Sequence, residues 1–262
     1  MTALVRNLAE RAVELHNPHG SGQVVLVCEH ASNIIPAEFQ GLGLPQDLRT
    51  AHIAWDPGAL PVATHLADLL DSPLVSGGLS RLLYDCNRPP DAPDAVPARS
   101  EIYDIPGNRD LDEAARELRV QGIYQPFRAR LAETVAVAGQ PVLVTIHSFT
   151  PIYKGVPREV EIGILHDDDS RLADAMLELA PRHTGLKVAR NDPYGPAQGV
   201  THTLRTHALA HGLMNVMIEI RNDLIASAAS QREMAETLHA WLGAAIRAAA
   251  KDDRERGAAC SQ

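Results

Sequence analysis

Cysteine is nearly absent from this chain. Its 262 residues include three, Cys28, Cys86 and Cys260, with no C-x-x-C spacing and no way for all three to pair. That excludes a disulfide framework and makes a reducing cytoplasm the expected compartment. Long apolar runs are missing as well: nothing approaches the ~20 residues that a spanning helix needs. The opening stretch "MTALVRNLAERAVEL" has no uninterrupted apolar core, so no signal peptide is expected. Positive charge is in short supply, with 24 Lys and Arg against 33 Asp and Glu and a net charge of −9. A nucleic-acid or anionic-membrane partner would want the opposite balance. A small anionic substrate stays open, because a few local arginines can outvote the total. Aromatics are sparse at 4%, and internal repeats and interdomain linkers are lacking. One domain spanning 1–262 is expected, with its core at 23–250 and a solvated, frayed tail over 251–262.

What the chain does have is apolar mass, 45% of residues, much of it Ala, Leu and Val. Short β-rich runs at 23–30, 72–77, 81–85, 141–147, 160–166, 185–191 and 213–220 alternate with helical patterns. The near-continuous apolar stretches at 24–28, 142–146 and 213–218 read as strands buried on both faces. Helical periodicity covers 58–70, then 111–139 with a bend or break expected near Pro126. It resumes over 170–180 behind a Ser170 cap, and over 230–251, where Ser230 and Glu233 stand in capping-box register. Strands separated by helices imply an α/β fold in three layers, a mixed and mostly parallel sheet between helices. The Pro- and Asp-rich segment 87–110 is too long for a simple connection and is expected to cover a site.

Ligands of open α/β sheets bind beyond the carboxyl ends of the strands. The first buried strand, in "VVLVCEHASNIIP", runs into Glu29 and His30; the second ends at His147; the third ends in Glu219, Ile220 and Arg221. Three strands thus deliver two imidazoles and a carboxylate to one edge, a donor set for a catalytic metal. Such a metal takes three His, Asp or Glu ligands and leaves one position for water, whose pKa falls toward ~7. An acid beside that water can accept its proton. His30 and His147 are therefore the expected ligands. The third is open: Asp56, in a turn that could fold across the same edge, or Glu29 or His52. Adjacent strand residues face opposite ways, which counts against Glu29 joining His30 on one ion. In "SRLLYDCNRPP", Arg81 and the Asn87–Arg88 pair offer guanidinium forks suited to a substrate carboxylate. The Gly/Pro-rich segment 191–208 turns helical at Thr201, where a helix N-terminus could meet an anion.

These segments resemble a known family. "CEHASNIIP", "WDPGA", "SRLLYDCNRPP", "TIHSFTP", "NDPYGP", "GVTHTLR" and "MIEIRND" stand in the order found in N-formylglutamate amidohydrolases, over about residues 23–225. The resemblance implies a phosphorylase/hydrolase-like fold related to zinc carboxypeptidases and aspartoacylase, and cleavage of the amide of an N-acyl amino acid such as N-formyl-L-glutamate. It implies zinc on His30 and His147, Arg81 polarising the scissile carbonyl, Asn87 and Arg88 clamping the substrate carboxylate, and Glu219 as general base. Thr201 and Arg221 complete the expected substrate contacts. In one respect the chain departs from the pattern: the His-x-x-Glu pair of the wider superfamily has Asn33 in place of its acid, and Asp56 is the expected substitute. The alternatives are a carboxypeptidase or deacylase acting on other N-acyl or peptide amides, and a non-catalytic binder of an acidic metabolite with the metal absent.

Overall fold

The computed structural model describes residues 2–259, so Cys260 lies outside the described residues. Seven strands form the main sheet: β1 (Val13–His16), β2 (Val24–Cys28), β3 (Leu74–Gly77), β4 (Val142–Phe149), β5 (Ile162–Leu165), β6 (Val188–Arg190) and β7 (Asn215–Arg221). Their order is β1-β3-β2-β4-β7-β5-β6. The central trio β2-β4-β7 is parallel, as are β3 on β2 and β6 on β5; β1 and the β7–β5 pair are antiparallel. The expected mixed, mostly parallel sheet is therefore present.

Alternating side chains divide the core in two. Val24, Leu26, Val144, Ile146, Val216 and Ile218 face a layer of three helices, α2 (Ala59–Leu70), α5 (Arg171–His183) and α7 (Ala228–Ala259). Trp241 anchors that layer, fully buried, its indole N–H donating to the Met176 carbonyl at 2.8 Å. Val25, Val27, Val75, Leu143 and Met217 face the other way, toward α1 (Ala3–Ala9), α4 (Gln125–Ala138) and a thick layer of loops. Helices on both sides make the three layers. Among the described residues, no helix is long and apolar enough to cross a membrane.

Several local expectations differ from what is seen. Residues 81–85 form turns instead of a strand: Leu82, Leu83 and Tyr84 are buried, but in the loop layer. Near Pro126 the helical pattern is interrupted, though not cut: a π-helical turn at Val120–Tyr124 links α3 (Glu113–Arg119) to α4, and Pro126 stands in the first turn of α4. The cap of α7 is Ser227, whose Oγ accepts from the Ser230 N–H at 3.2 Å, so the Ser230–Glu233 box is not used. The tail expected to fray over 251–262 continues as helix to Ala259, and its residues 260–262 lie outside the described residues. Ser170 does precede α5, yet its hydroxyl donates to Asp174 rather than capping the backbone.

One close approach fixes the sheet edge that matters below. A Cβ built on Gly77 would lie 2.1 Å from the Glu29 carbonyl oxygen, on backbone that has nowhere to go. Gly77→Ala is expected to wedge β3 away from the end of β2 and cost about 1–3 kcal/mol. Urea unfolding reads this as a lower midpoint at unchanged slope.

Candidate active site

Strand register assembles the site. Across the parallel β4–β7 pair, Glu219 stands opposite His147, and both share the loop-side face with Thr145 and Met217. By the same alternation Glu29 continues the row of Val25 and Val27, next to His147. β2 has ended at Cys28, so His30 is free to turn toward the loops. There its carbonyl accepts from the Asp56 N–H at 2.9 Å, which ties the 51–57 turn over the sheet edge.

The two imidazoles meet edge to face, ring centroids 4.9 Å apart. Both Nδ1 atoms point at one oxygen: Asp56 Oδ2 lies 3.3 Å from that of His30 and 2.9 Å from that of His147. All three residues are buried, and one donor atom from each falls within 4.8 Å of the others, a group that could hold a metal ion. The remaining ring nitrogens are backed by carboxylates. His30 Nε2 lies 2.7 Å from Asp85 Oδ1, and His147 Nε2 lies 3.0 Å from Glu29 Oε2, the latter an ion pair too bent for a good hydrogen bond. This is the arrangement in which a carboxylate holds the outer N–H of a metal-binding histidine and turns its lone pair inward. Two lone pairs aimed at one carboxylate oxygen would repel it unless protons or a cation lay between. The residues therefore fit a divalent metal.

The electrostatics agree. In the chain alone, burial works against charge on either imidazole, yet the acids around them prevail. Glu29 and Asp56 hold His147 well above its ordinary pKa; His30, also facing Arg81, is raised by Asp85 and Asp56. Burial would lift Asp56 and Asp85 too, but the histidines, with Arg81 beside Asp85, hold both below the usual carboxylate range. Glu219 has no such close partner, and burial pushes it up to about 7.

His30, Asp56, Asp85, His147 and Glu219 line a cavity of ≈ 350 Å³. Arg81 reaches into it, bonded to Asp85 Oδ2 at 2.6 Å and to Asp56 Oδ1 at 3.4 Å. Asn87 and Arg88 line it as well, partly engaged. The Asn87 amide donates to the Val200 carbonyl and accepts from the Thr203 N–H, while Arg88 pairs with Asp94 at 2.7 Å and donates to the Asn87 and Gly199 carbonyls. The segment 87–110 supplies one wall, from Asn87 to Glu101.

Two expected contacts lie elsewhere. Thr201, just ahead of the short helix α6 (His202–His207), is buried outside the cavity lining, its hydroxyl donating to Asp167. Arg221 is held by Asp223 and Glu161 and does not line the cavity, because its place after Glu219 and Ile220 carries it beyond the sheet edge. Of the alternative third ligands, His52 sits on the cavity wall paired with Glu101 at 2.8 Å, and Glu29 lies behind His147. The residue that sequence reading missed is Asp85. It stands inside "SRLLYDCNRPP", an acid between Arg81 and Arg88, and that spacing was its signal.

The family model for N-formylglutamate amidohydrolase matches residues 22–226. A gene product of Agrobacterium tumefaciens with a known crystal structure is 56% identical, covering 92% of this chain and 97% of its own, with a TM-score of 0.89. The crystal structure of N-formylglutamate amidohydrolase from Ralstonia eutropha JMP134 superposes with a TM-score of 0.62 at 21% identity, covering 91% of this chain and 99% of its own, and so speaks for the fold alone. No curated protein sequence matches the chain. With most of its length inside the family model and its strand-end residues gathered in one cavity, this chain belongs to the N-formylglutamate amidohydrolase family.

Proposed function

We propose that this amidohydrolase is zinc-dependent and cleaves the amide of an N-acyl amino acid with a free carboxylate, N-formyl-L-glutamate first among them, releasing formate and the amino acid. The observation that carries the proposal is the convergence of His30, Asp56 and His147 in the cavity that Arg81 and Glu219 also line. Two imidazoles and one carboxylate are a common catalytic zinc set. When bound, the metal would supply Lewis acidity and lower the pKa of water.

The chain's own groups would do the rest. Arg88, with Asn87, offers the substrate carboxylate its remaining guanidinium protons. Arg81, fixed by Asp85, faces the scissile carbonyl and stabilises negative charge as it develops on the oxygen, an effect worth several kcal/mol in comparable sites. Glu219 accepts a proton from the attacking water and returns it to the leaving nitrogen. Its raised pKa suits both transfers, since an acid poised near neutrality can gain and lose a proton at similar cost.

Protein purified without added metal is expected to carry about one zinc per chain by elemental analysis and to release formate from N-formyl-L-glutamate faster than it deacylates N-acetyl-L-glutamate or a dipeptide. Stripping with a chelator should abolish the activity and added zinc restore it. Full turnover by the stripped protein would refute the metal requirement, and a preference for dipeptides would move the protein to peptidase chemistry.

A further inference from the structure

Cleaving an N-acyl glutamate in preference to other N-acyl amino acids requires a second cationic contact, since Arg88 can serve one carboxylate only. The arginines around the cavity differ in what already neutralises them. Arg81 is bonded to Asp85, Arg88 to Asp94, and Arg221 to Asp223 and Glu161. Arg99 lines the cavity but is 62% exposed and 3.9 Å from Asp104, so water and a neighbouring acid screen it. Among the described residues, Arg158 forms no ion pair; it is partly buried and stands behind residues that line the cavity, its charge reaching the interior through them.

Arg158 is held by aromatic rings instead. Its guanidinium carbon lies 4.5 Å from the centroid of Tyr153, 4.8 Å from Tyr194 and 5.4 Å from Phe149, and all three rings line the cavity. In a protein with 4% aromatics, three rings around one guanidinium are a concentrated investment. They fix the cation in place without cancelling its charge. Nη1 donates to the Thr150 carbonyl at 3.4 Å and Nη2 to Tyr194 Oη at 2.9 Å, leaving Nε and one proton on each terminal nitrogen. Because Tyr194 Oη accepts from Arg158, its own proton is left for an acceptor inside the cavity. A hydroxyl backed by a fixed cation is a receptor for an anion.

We propose that the Arg158–Tyr194 pair is the specificity determinant that receives the side-chain carboxylate of a dicarboxylic N-acyl amino acid, Tyr194 Oη donating to it and Arg158 supplying the charge. The inference rests on the proposed amidohydrolase reading and narrows it to acidic amino acids. Tyr194 and Arg158 take no part in bond breaking in this scheme, so their loss should appear in KM and leave kcat within a few fold.

The test compares N-formyl-L-glutamate with its neutral isostere N-formyl-L-glutamine in wild type, Arg158→Met, Arg158→Lys and Tyr194→Phe. Met keeps the alkyl contact with the rings while removing charge. The expected result is a KM for the glutamate substrate raised about 10- to 100-fold in Arg158→Met. The glutamine substrate should be little changed, Arg158→Lys should recover part of the loss, and Tyr194→Phe should show a smaller rise. A wild-type glutamate preference that survives Arg158→Met overturns the proposal. So does an equal loss on both substrates, which marks a structural role, or a fall in kcat in Tyr194→Phe, which marks a part in the chemistry. So does loss of the preference in Arg99→Met instead. Calorimetric binding of L-glutamate against L-glutamine by the same proteins keeps the two readings separate. If neither formyl substrate is turned over, the amidohydrolase reading fails, and Arg158-dependent selectivity for L-glutamate still decides this one.

Discussion

Glu219→Gln is expected to lower kcat/KM by about 10²–10⁴-fold, the usual contribution of a positioned general base, while metal content stays at the wild-type level. The two halves of that result belong together. Glu219 sits on β7 opposite His147, inside the cavity but outside the group whose Nδ1 and carboxylate oxygens converge. Removing its charge should therefore spare the metal and stop the proton transfers. The fold should tolerate the change, because burial already disfavours the charged form of Glu219 and the amide is its isostere. The pH dependence follows from the same placement. A base works when deprotonated, and in the metal-free chain burial pushes Glu219 up to about 7. The wild-type rate should therefore fall as pH drops through its titration, at or below 7 once a dication lies nearby. Residual activity of Glu219→Gln should lack that limb. Loss of metal in the variant would make Glu219 a ligand, and wild-type kcat would remove it from the chemistry.

How far the sequence reaches can be judged residue by residue. His147 and Glu219 were legible because β4 and β7 are buried on both faces, and a polar side chain at the end of such a strand has no packing reason to be there. His30 followed from the same reasoning on β2. Asp56 was legible by residue type and position, but not against its rivals, because only the fold of the 51–57 turn decides which acid meets the imidazoles. Asp85 was hidden by the same kind of ambiguity in reverse. The apolar run "RLLY" reads as a strand, yet those side chains pack into the loop layer, and the turns they form swing Asp85 under His30. Arg221 lies outside the cavity because adjacency in sequence to Glu219 says little once a strand has ended, and Thr201, at the start of a short helix, is turned to Asp167 instead. The edge strand β1 gave no signal, its four residues "VELH" being too short for periodicity to register. The aromatic cradle of Arg158 draws on Phe149, a two-stranded hairpin and a separate loop, and only the folded chain brings these together.

Asp56→Asn is expected to empty the metal site. Asp56 Oδ2 is the point on which both Nδ1 atoms converge, and it also accepts from the Ser148 N–H at 3.3 Å, while Oδ1 faces Arg81. The amide keeps the shape but halves the acceptor capacity and carries no charge. Whichever way it is turned, its NH₂ group must face Arg81 or the imidazoles, donor against donor or against the ion itself. Loss of a carboxylate that merely backs a metal-binding histidine weakens metal binding about 10–100-fold. Loss of a ligand should exceed the upper end of that range, and Asp85→Asn should fall within it, because of the three converging residues Asp85 touches only His30, at its outer nitrogen. Competition against a chromophoric chelator gives both affinities, and the ratio between the two variants is the decisive quantity. Equal affinities would demote Asp56 to a supporting role and return the third ligand to Glu29. In that case Glu29 would have to leave its place behind His147, 3.0 Å from Nε2, for the side on which both Nδ1 atoms converge.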